Sequence, residues 1–569
     1  MKKILFALLL LLALPLFGDD PGNPGPFAVT REEYNFGDTA FTPTNFPGPV
    51  ELLASITYPS GLPGGPFPLV VFLHGRHATC FTGRTGFLLW PCSSFSAPLS
   101  PIPSYRGYDY LSDILASHGF IVVSISANGI NARDNFVRDL GALARAELIQ
   151  KHLDILNTFN TTGGAPFGTK FVGKIDLTRV GTMGHSRGGE GVVRHFILNA
   201  SLGSPYGIKA VFPLAPVDFN RPVINNVPLA VLLPYCDGDV ADLQGVHFYD
   251  DARYNVPGDA AAKHTILVMG ANHNFYNTIW TPGIFDAASA DDWNAFVPGG
   301  RSDPHCGTKK SSARLTPEEQ RGTGQAYIVG FFRNYVGGED FASQFNGDTP
   351  PPPSATTDQI FLMYHPPDLF TTRRDVNRLL TAADLGTNTL GGAVSQSGIT
   401  PYELCGGEAP QPAKCLPAER NSRQPHTTPS ARSPKRGLSQ LQAGWTSISA
   451  FIENGLPRGT RDVSAFRALQ FRASVNFGDA RNAVGVPQNL TVVLSDRKNS
   501  ATVNVSNVSR SLYYPPGEVI HVPKLLLNTV RVPLSAFQNI DLTNITSVRF
   551  NFDQNNSGAL LISDVAFTN

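Results

Sequence analysis

The stretch Val180-Gly181-Thr182-Met183-Gly184-His185-Ser186-Arg187-Gly188-Gly189 decides how the rest of the chain reads. Four residues of strand character run into Gly-His-Ser-Arg-Gly, and a helical pattern begins at about Gly189. That order specifies strand, sharp turn and helix, with small residues beside the serine so that backbone can approach backbone. Ser186 is then placed at the carboxyl end of a strand with its hydroxyl presented. It also stands at a helix N-terminus, where the dipole favours developing negative charge. It is the candidate nucleophile.

Working outward, strands and helices alternate from about 26 to 345. Leu69 to Leu73, Phe120 to Ile125, Ile208 to Leu214, Leu229 to Leu233 and Thr265 to Val268 are short continuous apolar runs, the pattern of strands buried on both faces. Helical stretches lie between them, at Tyr108 to His118 and about Leu140 to Leu156. Thr316-Pro317-Glu318-Glu319 carries the signature of an N-cap with proline in the first turn. The expected architecture is α/β, a mostly parallel sheet flanked by helices.

A serine hydroxyl needs a base and an orienting acid, and in this strand–turn–helix setting they follow in the order serine, acid, histidine. His273, in Gly270-Ala271-Asn272-His273, is on the loop leaving the last apolar strand, at the same sheet edge as Ser186. His247 is the other contender, since His264 precedes its strand and His305 lies in a polar loop. For the acid, the loop after Leu233 offers Asp237, Asp239 and Asp242. Asp239, about four residues past the strand end, is preferred, with Asp242 second and Asp237 set aside as too close to the strand. The oxyanion donors expected are the backbone N–H groups of Arg187 and Arg76, the latter in His74-Gly75-Arg76-His77. The Arg187 side chain is expected to pair with a carboxylate such as Glu190. The alternative is that the two arginines line the cleft and favour a polar or anionic substrate.

Lys2 and Lys3 precede an apolar run from Ile4 to Phe17 and then Gly18. Fewer than the roughly 20 apolar residues of a membrane span, they fit a secretory signal over 1–18 and a secreted product, extracellular or periplasmic, with no transmembrane span after cleavage. Export makes the six cysteines legible as disulfides. Proximity favours Cys80–Cys92 and Cys405–Cys415, leaving Cys236–Cys306, among about 15 possible pairings. No clustered Cys/His spacing points to a metal, and no cofactor is expected. Basic and acidic residues balance at 45 each, which argues against a nucleic-acid partner.

Asp348 to Ser354, with four successive prolines, marks a linker over 346–358. Beyond it, Leu490/Val492/Leu494 and Val548/Phe550/Phe552 alternate with polar residues, as in an all-β sandwich, expected over 359–569 with a flexible insertion at 406–437. Trp445, Tyr513 and Tyr514 are its candidates for a carbohydrate or polymer surface. Asp553 and Asp564 are considered for a structural Ca²⁺.

Leu73-His74-Gly75, the run Ile175 to Val180 entering Gly184-His185-Ser186-Arg187-Gly188-Gly189, and Gly270-Ala271-Asn272-His273 together resemble the α/β-hydrolase branch of chlorophyllases, platelet-activating-factor acetylhydrolases and cutinase-like polyester hydrolases. The resemblance covers about 50–340 and implies hydrolysis of a small-molecule or polymeric ester through an acyl-enzyme, without metal or cofactor. Cys236 resembles a cutinase-like feature in which a disulfide ties the acid loop to the histidine loop, which supports Cys236–Cys306 and Asp239. Two positions depart from the polyester hydrolases: Val217 stands where they carry a stacking Trp, and Arg76 where they tend to carry an aromatic. His77, Trp90 and Val217 are the substrate-pocket candidates, and the Cys80–Cys92 loop is either a stapled lid or a satellite cluster. The C-terminal segments Thr529 to Phe537 and Ile562 to Phe567 loosely resemble galactose-binding-like, jelly-roll-like sandwiches. Amide or peptide hydrolysis by the same triad, and glycan or surface binding with an ancillary hydrolase domain, are the competing expectations.

Overall fold

The computed structural model describes residues 20–94, 99–415 and 424–569, so the expected signal at 1–18 lies outside the described residues. The first sheet has nine strands. In chain order the elements that build it and its ligatures are β1 (Val29–Asn35), β2 (Leu53–Pro59), β3 (Phe67–Leu73), a small ribbon of β4 (Cys80–Thr82), β5 (Thr85–Phe87) and β6 (Ser100–Pro101), then α1 (Asp109–Ser117) and β7 (Ile121–Ile125). There follow α2 (Asn128–Asn131), α3 (Ala142–Thr161), β8 (Ile175–His185), α4 (Arg187–Ser201), β9 (Ile208–Leu214), β10 (Leu229–Pro234), α5 (Val246–Ala252), β11 (Lys263–Val268), α6 (Asp292–Phe296), α7 (Pro317–Gly324) and β12 (Ile360–His365). The sheet order is β1-β2-β7-β3-β8-β9-β10-β11-β12. Strands β7 through β11 in that order pair in parallel, while β1, β2 and β12 run antiparallel at the edges.

The apolar runs behave as their composition requires. In β3, Leu69, Val71 and Leu73 face a core shared with Leu148, Ile149 and Leu153 of α3 and Val192 and Val193 of α4. Val70 and Phe72 face the opposite core, with Leu111 and Leu115 of α1 and with Phe331 and Phe332. Period-two alternation thus feeds two cores from one strand. Helix α7 starts on the expected capping box, Thr316 accepting from the Glu319 N–H and Glu319 accepting from the Thr316 N–H.

The second domain is all-β. Its strands are β13 (Arg373–Asn377), β14 (Val394–Ser397), β15 (Ile399–Cys405), β16 (Gln440–Trp445), β17 (Phe451–Gly455), β18 (Ala468–Val475), β19 (Thr491–Ser495), β20 (Ser500–Asn504), β21 (Asn528–Pro533), β22 (Ser547–Asn551) and β23 (Gly558–Thr568). One sheet runs β15-β16-β23-β18-β21 with β13 also on β23, and the other runs β14-β17-β22-β19-β20. Val492, Leu494, Val548 and Phe550 point into the core between them, where the Phe550 ring meets Phe471 at 4.9 Å.

Three expectations shift. Ile360–His365 does not open the β-domain; it pairs antiparallel with β11 as the last strand of the first sheet. The Pro-rich segment before it is packed down rather than a spacer, since Ser354 donates from its backbone N and its Oγ to Asp20 (2.8 and 2.5 Å) and Ala355 is buried. Its path is fixed because it must deliver β12 to the sheet edge. The described part of the 406–437 insertion is likewise docked. Pro425 and His426 are buried, His247 Nε2 bonds the Pro425 carbonyl at 2.9 Å, and the Arg432 N–H reaches the Phe219 carbonyl. The histidine once weighed as a second base is therefore occupied at this joint.

The joint is also charged. Arg472 of β18 donates to Asp250 of α5 at 3.0 Å and to Asp564 of β23 at 3.2 Å; Arg253 pairs with the same Asp564, and His426 Nδ1 meets Asp250 at 2.7 Å. All five residues are buried. Burial opposes ionisation of Asp250, but His426 and Arg472 hold its carboxyl well below the usual range. Asp564, so paired, is not placed to serve as a Ca²⁺ ligand. The aromatic candidates for a glycan surface are also turned inward: Trp445 is buried and Tyr513 packs on Phe361 at 4.4 Å.

All three expected disulfides are present, Cys80–Cys92, Cys236–Cys306 and Cys405–Cys415. Replacing Arg472 with Met removes the cation that buried Asp250 and Asp564 share, leaving them His426 and Arg253, and should destabilise the protein by about 3–5 kcal/mol, read as a lower urea midpoint. Replacing Cys236 and Cys306 together with Ser opens a loop of 70 residues and should cost about 4 kcal/mol by the same measurement.

Candidate active site

Ser186 has φ 57° and ψ −123°, a left-handed conformation that a serine adopts only when its surroundings impose it, at a cost of about 1–3 kcal/mol. Those surroundings are backbone. The Ser186 N–H donates to the Leu214 carbonyl at 2.9 Å and its carbonyl accepts from Gly189 at 2.8 Å. A Cβ on Gly184 would lie 2.0 Å from the Gly188 oxygen, and one on Gly75 would lie 2.5 Å from the Ser186 Cβ. The glycines of the motif are therefore spatial requirements of the turn.

Opposite the elbow, His273 is buried and its Nδ1 meets Asp237 Oδ2 at 2.8 Å. Asp237, not the expected Asp239, is the carboxylate bonded to His273 Nδ1. The carboxylate of Asp239 lies 3.7 Å from the other ring nitrogen, Nε2, and is 49% exposed. Asp242 is engaged with Gln244. The reason is a turn that counting past the strand does not register. Asp237 Oδ1 accepts from the N–H groups of Asp239 (3.0 Å) and Val240 (2.6 Å), and this folds the loop back so that Oδ2 faces the imidazole. Cys236, bonded to Cys306, and the Cys236 N–H on the Ala271 carbonyl (2.8 Å) anchor the same loop.

A second acid organises both loops and was not singled out from the sequence. Asp292, the first residue of α6, accepts from the N–H groups of Gly238 (2.8 Å), His273 (3.0 Å) and Asn274 (3.0 Å). Its only sequence signal is the Asp291-Asp292 start of a short helix. Burial, with the nearby Asp237 charge, raises its pKa to about 6. Burial would lower that of His273, but Asp237, through charge and hydrogen bond, and then Asp239 and Asp292 raise it to about 9. The neighbouring imidazoles go the other way. His185, 4.9 Å from His273 ring to ring, and His77, pushed down to about 4, are held neutral chiefly by burial. His273 Nε2 is buried with no hydrogen-bond partner among the described residues.

A cavity of about 450 Å³ opens at Ser186, lined by Arg76, Arg187, Val217, Phe219, the loop from Gly238 to Asp242, Gln244 and His521. Arg187 begins α4, so its N–H has no acceptor within the helix. Its side chain does not pair with Glu190, which accepts from Asn220 instead. It bonds buried Asp134 at 2.9 Å, and Arg76 (3.1 Å) and Arg145 (2.7 Å) share that carboxylate. Three guanidinium groups on one carboxylate leave positive charge on this wall. Of the pocket candidates, Val217 lines the cavity but His77 and Trp90 do not. His77 stacks on Trp280 at 5.0 Å. Trp90 donates to the Asp38 carbonyl and packs with the Cys80–Cys92 disulfide in a satellite cluster. Among the described residues the one group of potential metal ligands is Cys236, His305 and Cys306, whose cysteines are oxidised to a disulfide.

Comparisons with known proteins agree with this geometry in extent. A family described as PETase, PET hydrolase-like, matches residues 102–281, which include Ser186, Asp237 and His273. Cutinase est1 of Thermobifida alba is 26% identical over 193 residues, 33% of this chain and 56% of that protein, so the chain spans about half the length of the curated relative it matches. The first domain has an α/β-hydrolase-like sheet, and its matched part is similar to a cutinase and to PET hydrolases.

Proposed function

We propose that this chain is an exported serine esterase in which Ser186 is the nucleophile, His273 the base and Asp237 the orienting acid. The observation that carries the reading is a strained Ser186 elbow whose neighbour His185 lies 4.9 Å, ring to ring, from His273, an imidazole whose Nδ1 is fixed by a buried carboxylate. In this scheme Ser186 Oγ attacks the ester carbonyl while its proton passes to His273 Nε2. The tetrahedral oxyanion is held by the Arg187 and Arg76 backbone N–H groups, and collapse returns the proton to the leaving alcohol. Water then repeats the sequence to release the acid. Asp237 fixes the tautomer and stabilises the imidazolium. The names of the similar proteins, a cutinase and a PET-hydrolase family, support an ester bond as the target. The cavity, with Val217 and two arginines, supports a polar small ester over an aromatic polymer. Disulfides and the expected signal support export.

The test is p-nitrophenyl ester hydrolysis. Ser186→Ala should lose roughly 10⁴-fold or more in kcat, and Asp237→Asn about 10⁴-fold. Asp239→Asn should stay within about fivefold, as an exposed group at that distance contributes at most about 1 kcal/mol. Equal losses at 237 and 239 would reassign the acid. Because only neutral imidazole accepts the proton, kcat/KM should rise with pH along an acid limb far above 6.5, toward about 9.

A further inference from the structure

The side chains of Arg76 and Arg187 build a feature that the proposed reaction does not use. Arg76 follows Gly75, where an added Cβ would lie 2.5 Å from the Ser186 Cβ and 3.2 Å from its Oγ, and Arg187 follows Ser186 itself. Both side chains therefore start beside the serine hydroxyl, and both residues line its cavity of about 450 Å³.

Their charge is only partly spent. Asp134 is buried; its Oδ1 accepts from Arg76 Nε at 3.1 Å, and its Oδ2 is shared by Arg145 at 2.7 Å and Arg187 at 2.9 Å. One carboxylate does not neutralise three guanidinium groups, and among the described residues no second carboxylate pairs with any of them. Arg145 is buried, so the excess reaches the cavity through Arg76 and Arg187, whose side chains are 28% and 16% exposed. Asp134 takes only the Nε of Arg76. Its two Nη groups, an edge that can meet a carboxylate with two bonds, have no acceptor among the described residues. Arg187 is held at the Asn135 side-chain oxygen (2.9 Å) and lies over the Phe219 ring at 5.6 Å, so its guanidinium is placed before any ligand arrives. The carboxylates of the cavity stand elsewhere: Asp239 lies 3.7 Å from His273 Nε2, and Asp242 is engaged with Gln244. The pocket is thus polarised between an arginine wall and an acidic loop. An anionic group on a ligand is attracted to the first and repelled by the second.

We propose that Arg76 and Arg187 form an anion subsite beside Ser186, so that the preferred substrate is an ester carrying a carboxylate a few bonds from its scissile carbonyl. The inference rests on the esterase reading and names the substrate class for that site. The arginines bind a group that does not react, equally in the ground and transition states, so the preference falls in KM and leaves kcat similar.

The experiment uses the full chain and two matched ester pairs whose members differ in charge. Mono-p-nitrophenyl adipate against its methyl ester carries the carboxylate on the acyl part; para-acetoxybenzoate against its methyl ester carries it on the alcohol part. Ser186→Ala supplies the background of spontaneous hydrolysis. Expected for wild type is a kcat/KM about tenfold higher for the charged member of at least one pair, carried by KM and weakened by salt at about 0.5 M. Arg76→Gln and Arg187→Gln should each lower that ratio by about fivefold or more, each variant's neutral ester being its own reference, while Arg76→Lys keeps part of it as a point charge. Circular dichroism checks folding, and if neither Gln variant folds, the wild-type ratio and its salt dependence decide. A wild-type ratio below about twofold in both pairs, or a ratio unmoved in the folded Gln variants, overturns this inference while Ser186-dependent hydrolysis of the neutral esters leaves the esterase reading in place. Equal rates in wild type and Ser186→Ala overturn the esterase reading itself.

Discussion

Asp237 and Asp292 are buried beside one another under His273, and a low-dielectric interior does not hold two adjacent negative charges without compensation. Each part of the site supplies some of that compensation. The imidazole of His273 shares a proton with Asp237, and five backbone N–H groups point at the two carboxylates. The N–H donors come from the acid and histidine loops themselves, so the carboxylates set the shape of those loops as well as the charge state of the base. Lys524 reaches the same loop from the β-domain, donating its Nζ to the Asp237 carbonyl at 3.2 Å.

Much of this was legible in the sequence. The elbow was readable because its glycines are demanded by contacts within the local turn, so motif and geometry coincide. His273 was readable because the end of an apolar strand places the next loop at a known sheet edge. The two-core sheet followed from continuous apolar runs. Asp237 was missed for a local reason, an Asx turn that reverses the loop within three residues. Asp292 was missed for a non-local one: an Asp in a short helix carries no signal of its partners 18, 19 and 54 positions away. The Pro-rich tract misled because composition reports chain stiffness and says nothing of whether a neighbour covers it.

The two domains are therefore unequal in sequence signal and closely tied in structure. A strand after the linker closes the first sheet, an insertion of the second domain docks on α5, and a loop beyond it enters the first core. The residues that match the hydrolase family end at 281, well before all of these.

The buried cluster around Arg472 has a consequence for the order in which the molecule can mature. Arg253 meets Asp564 across 311 positions of chain, and Asp250 meets Arg472 across 222. Asp564 sits on β23, the strand that pairs with β13, β16 and β18 together. During synthesis the hydrolase half emerges first, with Asp250 and Arg253 exposed until the β-domain buries them. Those charges find their counterparts only when β23 closes its sheet, so the joint between the two domains cannot be complete before that strand has formed.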